Sequence, residues 1–155
     1  MFREMRRKDR AMSEAEAISI LETAQVGTLA TVSEEHIPYL VPMSFVYTQG
    51  AIYLHCAVEG KKLDNIRGNN NICFNVVEAI ELLPAAFSTK YKSVTVFGKI
   101  AVVEAQEEKR QSLIAIVKKY SPDFYEAGLQ YIDNAIEKTK VLKIEVSRIN
   151  GKAKV

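Results

Sequence analysis

Tryptophan is absent from the 155 residues, and cysteine, histidine and proline are scarce at two, two and four. The two cysteines, Cys56 and Cys73, fall in different predicted elements. That argues against a disulfide framework and for a reducing compartment. No apolar run approaches the roughly 20 residues that cross a bilayer. The basic start has no apolar stretch behind it, so no signal peptide is read and the expected location is cytoplasmic, without a membrane partner. Charge of one sign is also lacking: the formal net charge is only +2, too small to argue for nucleic acid. The basic excess is confined to Met1-Phe2-Arg3-Glu4-Met5-Arg6-Arg7-Lys8-Asp9-Arg10. It reads as an arm over residues 1–12, solvated or folded over a phosphate or a partner. The length fits one domain, 1–155.

The fingerprints of common catalytic machinery are missing too. There is no GxGxxG, no Walker lysine loop, no HExxH, no CxxC and no GxSxG. His36 and His55 are the only histidines. His55 and Cys56 adjoin on a predicted strand, so their side chains point to opposite faces. That alternation argues against shared metal ligation and against a Cys–His dyad. Chemistry, if present, is expected from a cofactor.

What is present is concentrated in Leu54-His55-Cys56-Ala57-Val58-Glu59-Gly60-Lys61-Lys62-Leu63. It reads as a strand end, a glycine turn and a helix start carrying two lysines. Free N–H groups and the positive dipole end make such a start a phosphate site. Two lysines there work against the dipole by about 0.3–1 kcal/mol each, and an anion offsets that cost. The competing reading is a solvated helix start. For His55 the competing reading is a half-buried imidazole bonded to backbone, and for Cys56 a small packed residue.

Around this segment the pattern is mostly β. Ser13 and Glu16 fit a capping box, with Ile18 and Leu21 following in a helix that ends near Gly27. Strands are predicted over 26–32, 37–47, 51–57, 72–77, 92–103 and 141–146. Pro38 and Pro42 mark the second as an edge strand, or one with backbone free for something else. Thr48-Gln49-Gly50 closes a hairpin, and residues 79–90 read as a loop. Two helices carry the stripes Leu113, Ile116, Val117, Tyr120 and Tyr125, Leu129, Ile132, Ile136. The second opens at Ser121-Pro122. The expected class is α+β, mainly β: an antiparallel barrel with helices at its rim.

The order of motifs resembles the pyridoxamine 5′-phosphate oxidase-like flavin-binding split barrel, and within it the branch of the 5-nitroimidazole-resistance proteins. The resemblance runs through the opening ten residues, Gly27-Thr28-Leu29-Ala30, Pro38-Tyr39-Leu40-Val41-Pro42-Met43-Ser44, His55-Cys56-Ala57 with Gly60-Lys61-Lys62, and Ser93-Val94-Thr95-Val96-Phe97-Gly98-Lys99. It implies a six-stranded antiparallel split barrel that forms a homodimer, with FMN in clefts at the interface. It implies that Lys61 and Lys62 hold the FMN phosphate and that His55 and Cys56 lie beside the flavin and its phosphate tail. Val41, Pro42, Met43 and Ser44 would line the ring edge mainly through backbone, and Ser93 would reach the flavin by its side chain. The oxidases carry an arginine on the second strand and a threonine after the third. Here Leu40 or Tyr39, and Cys56, stand there, which removes the pattern of vitamin B6 oxidation. The nearer relatives often have histidine where Lys61 stands.

The expected function is therefore that of an FMN-dependent oxidoreductase, nitroreductase-like. It would take electrons from NAD(P)H or another reductant and pass them to a small electrophile such as a nitro compound, with His55 a candidate proton donor. A flavin-binding module without turnover, for storage or sensing, and a haem-binding split barrel are the alternatives.

Overall fold

The computed structural model describes residues 4–155. Ser13 caps the first helix, α1 (Glu14–Thr23), by the predicted reciprocal pair: its hydroxyl accepts from the Glu16 N–H while the Glu16 carboxylate accepts from the Ser13 N–H. Ala17, Ile20 and Leu21 form its buried face. The strands are β1 (Gly27–Val32), β2 (Pro38–Met43), β3 (Val46–Thr48), β4 (Ala51–Ala57), β5 (Asn71–Leu83), β6 (Ser88–Val102) and β7 (Thr139–Lys154). Helix α2 (Lys61–Gly68) follows β4, and α3 (Gln106–Tyr120) and α4 (Tyr125–Ala135) lie between β6 and β7. A short 3₁₀ turn, Pro122–Phe124, separates α3 from α4, and Ser121 makes no side-chain cap there.

The seven strands form one antiparallel sheet in the order β2-β1-β5-β6-β7-β4-β3. Its two edge strands, β2 and β3, are consecutive in the chain and joined through Ser44 and Phe45. The barrel therefore closes at a covalent corner and not by a hydrogen-bonded seam, which is why it is split. One face holds the main core, built on Leu29, Phe45, Leu54, Phe74, Val96 and Ile144. The opposite face of β4 and β7 is covered by α3 and α4, where Tyr53 and Val141 meet Leu113, Ile116 and Ile132.

The structure corrects the sequence reading in three places. Seven strands replace six, because the stretch 37–47 breaks at Ser44. Phe45 leaves the strand line to bury its ring fully, edge-on to Phe74 with centroids 4.9 Å apart. Residues 79–90 are not a loop. β5 and β6 continue past an irregularity between Glu78 and Glu81 and pair to Leu83↔Ser88, as an arm tipped by Pro84–Ala86. The last strand runs to Lys154, well past Val146. The hairpin at Gln49-Gly50 is as expected, with φ of 51° and 74° at its two central residues. Among the described residues no helix is long and apolar enough to cross a membrane.

Candidate functional site

At the end of β4 the strand alternation separates the neighbours His55 and Cys56. Cys56 packs toward the main core and is half-buried. Burial pushes its thiol pKa up, while Lys62 and Lys140 pull it down. Lys140 enters through the sheet: it is the β7 residue directly opposite Cys56, so both side chains share a face. Spacing along the chain gave no hint of this lysine, because the pairing that brings it in spans more than eighty residues.

Beyond β4 the chain turns at Gly60, whose φ of 141° lies in the region that favours glycine. A Cβ built there meets nothing within 4 Å, so the turn is open to an approaching ligand. Helix α2 then begins without a side-chain cap, and its first carbonyl bonds, from the N–H of Leu63 and of Asp64, return to Gly60. The amides of Lys61 and Lys62 precede these and are the orphan donors of the helix start. Lys61 is exposed and feels the Glu35 carboxylate; Lys62 is half-buried. Helix α2 is fixed to β1 by Asn65, whose side-chain amide donates to the Thr31 hydroxyl at 2.9 Å, both residues being buried. The other polar atom of Asn65, Oδ1, is buried without a hydrogen-bond partner among the described residues.

The β2–β3 corner comes to the same rim. Val46 opens β3 opposite Tyr53 of β4, so Ser44 arrives about level with His55. Val41 and Met43 rest against the core, whereas Pro42 and Ser44 are exposed. Among the described residues β2 pairs only with β1, so its outer edge has no strand partner there, as the prolines implied. The corner is clamped by the end of α3. The Tyr120 hydroxyl accepts from the Phe45 N–H at 2.8 Å and has the Gln25 and Phe45 carbonyls at 2.6 and 2.9 Å. Lys119 donates to the Phe45 carbonyl at 2.9 Å, with its ammonium 4.0 Å from that ring's centroid. The sequence offered Tyr120 only as a helix-stripe residue; its polar role depends on the corner.

Two sequence candidates lie apart from this rim within one chain. The His55 ring faces the helix layer and forms part of an apolar hollow of about 100 Å³ with Leu113, Ile116, Ile132 and Ile136. Desolvation there lowers its pKa below the usual 6.5. Ser93 lies on the outer face of β6, between Val77 and Lys152. The β7 partners of Cys56 and Ser93 are Lys140 and Lys152, separated by about 40 Å of strand contour.

The structure thus shows a split antiparallel sheet with an open, lysine-flanked helix start at its rim. The sequence profile of the pyridoxamine 5′-phosphate oxidase family matches residues 13–153. The chain belongs to that family. Its fold is similar to that of a candidate 5-nitroimidazole antibiotic resistance protein from Bacteroides thetaiotaomicron, at 30% identity over 92% of this chain and 86% of that one, with a TM-score of 0.80. A conserved hypothetical protein from Mycobacterium tuberculosis aligns at 21% identity over 97% and 90% of the two chains, TM-score 0.83. An FAD- and haem-binding protein from Mycobacterium smegmatis aligns at 20% identity over 94% and 73%, TM-score 0.79. No curated protein matches the chain.

Proposed function

We propose that this protein is a homodimeric FMN-dependent oxidoreductase. The observation that carries the reading is the rim where Lys61, Lys62 and Lys140 surround the β4 end and the open turn at Gly60. These residues fit a phosphate monoester: two orphan amides, the helix dipole and three ammonium groups favour a dianion there. Val41 to Ser44 offer an unpaired strand edge for the flat ring system, and the Phe45 clamp holds that edge in place. Bound flavin would supply two-electron chemistry, from a nicotinamide donor to a small electrophile such as a nitro compound. This chain's own residues would bind the phosphate and orient the ring system.

The separation of Ser93 from the lysine rim supports the dimer. If both touch one cofactor, they come from different copies. The outer face and the β5–β6 arm expose Leu40, Val77, Ile80, Leu82 and Phe87, apolar area that a second copy would cover. His55, exposed at the end of β4 beside the helix layer, is the candidate proton donor. A haem there is disfavoured, because the 100 Å³ hollow beside His55 is far below the roughly 300–1,000 Å³ of drug-sized ligand sites. The non-catalytic module stays in view because the sequence carries no nicotinamide fingerprint. Stopped-flow mixing of the FMN-loaded protein with NADH and NADPH separates the two readings. Flavin bleaching within seconds supports the oxidoreductase, and no bleaching with either donor supports the module.

A further inference from the structure

The end of the basic arm, residues 8–12, has a definite seat, while residues 1–3 lie outside the described residues. Ala11 forms a β-bridge with Lys152, and the Met12 N–H donates to the Gly151 carbonyl at 3.0 Å. This pins the preceding 3₁₀ turn, Lys8–Arg10, beside the last residues of β7. Arg10 reaches the Tyr91 hydroxyl at 3.5 Å, and the Lys152 ammonium lies 5.7 Å from the Tyr91 ring centroid. Lys154 stands directly opposite Tyr91 in the β6–β7 register and donates to the Ser88 hydroxyl. Arg10, Tyr91, Lys152 and Lys154 are all half-buried.

The nearby acids are already engaged. Asp9 pairs with Arg7, Glu81 with Lys90, and Glu16 with the cap of α1. Among the described residues no ion pair joins Arg10, Lys152 or Lys154 to a carboxylate. Three half-buried cations thus gather around the Tyr91 side chain with no described ion pair of their own, and an anion would relieve their mutual repulsion. A hollow of about 220 Å³, lined by Lys90, Tyr91, Lys92 and Lys154 together with Glu81 and Val155, opens beside the cluster, with Arg10 and Lys152 at its margin and not in its lining.

We propose that Arg10, Tyr91, Lys152 and Lys154 form a second anion site, which takes a phosphate or diphosphate group of a nucleotide. Lys152 is the direct cross-strand partner of Ser93. This site therefore adjoins the position assigned to the flavin's outer side, and in that respect the inference rests on the FMN reading. Two sources carry the same chemistry: the diphosphate of a dinucleotide flavin, or the phosphates of a nicotinamide donor.

The test is calorimetric titration of the full chain with inorganic pyrophosphate at low ionic strength, in the parent and in Arg10→Ala, Lys152→Ala and Lys138→Ala. Lys138 is an exposed lysine after α4, outside the cluster. The expected result is saturable binding, weakened about tenfold or more in the first two variants and unchanged in the third. Absence of saturable binding, parent-like affinity in both cluster variants, or equal weakening by Lys138→Ala would each overturn the proposal. Competition then assigns the source. Displacement of pyrophosphate by FAD but not FMN identifies a cofactor diphosphate, displacement by NADPH but not NADH a donor 2′-phosphate, and by both NADH and NADPH a donor diphosphate. Displacement by none of them overturns the nucleotide assignment. FMN affinity is measured separately on the same variants. Loss of FMN binding in the parent sinks the function proposed above and leaves the pyrophosphate result readable by itself.

Discussion

Cys56 of β4 and Lys140 of β7 face each other across the sheet, and Lys62 of α2 acts on the same thiol. This juxtaposition joins two segments far apart in sequence into one cationic rim. It gives the phosphate reading a third lysine that no local motif contains.

The rim should therefore respond unequally to loss of its lysines. Lys62→Ala and Lys140→Ala are each expected to weaken FMN about 10- to 100-fold, the range for a lost charge-assisted hydrogen bond. Lys61→Ala should cost less, because Lys61 is exposed and partly neutralised by Glu35. Quenching of FMN fluorescence on titration reads the affinities. Equal, small effects for all three would move the phosphate elsewhere.

The Phe45 corner makes a stability prediction. Tyr120→Phe removes the hydroxyl that serves the Phe45 amide and the Gln25 carbonyl. It leaves the Phe45 N–H without that acceptor, at a cost of about 1–3 kcal/mol. Urea unfolding with an unchanged m-value should show the loss.

Packing at β1 makes another. A methyl at Gly27 would sit 2.1 Å from the Phe74 ring, which is fully buried and wedged against Phe45. Gly27→Ala is expected to destabilise by about 1–3 kcal/mol. Gly50→Ala, where a Cβ has open space but φ is 74°, should cost through backbone strain alone. Thermal melts of both variants compare the two causes.

The His55 imidazole carries a pH prediction. Its folded pKa is depressed by desolvation, so the folded state binds a proton less readily than the unfolded chain. The corresponding stability is fully present above the unfolded value of about 6.5 and is lost as pH falls through the depressed folded value. An NMR titration of the His55 ring should give a midpoint below the usual imidazole value of about 6.5. His55→Gln should remove this part of the acid sensitivity.

Elements with strong local chemistry were legible in the sequence. The capping box of Ser13 and Glu16, the Gln49-Gly50 turn and the start of α2 at Lys61 all stand where the residues put them. The β5–β6 arm was not legible. Its outer residues Ile80 and Leu82 are exposed and do not alternate with buried ones, and the pairing Glu81↔Lys90 is cross-strand information. The break at Ser44 was hidden because a β-branched and aromatic run looks the same whether it continues straight or turns a corner. Within the candidate site, the turn and its lysines followed from local rules. Lys140, Tyr120 and the distance between Ser93 and Lys62 depend on sheet order, which periodicity does not encode.

The visible absorption spectrum of the protein purified without added cofactor tests the central claim most directly. The account predicts a flavin spectrum, with the chromophore released on denaturation and identified as FMN. A colourless protein that also fails to take up added FMN would contradict it.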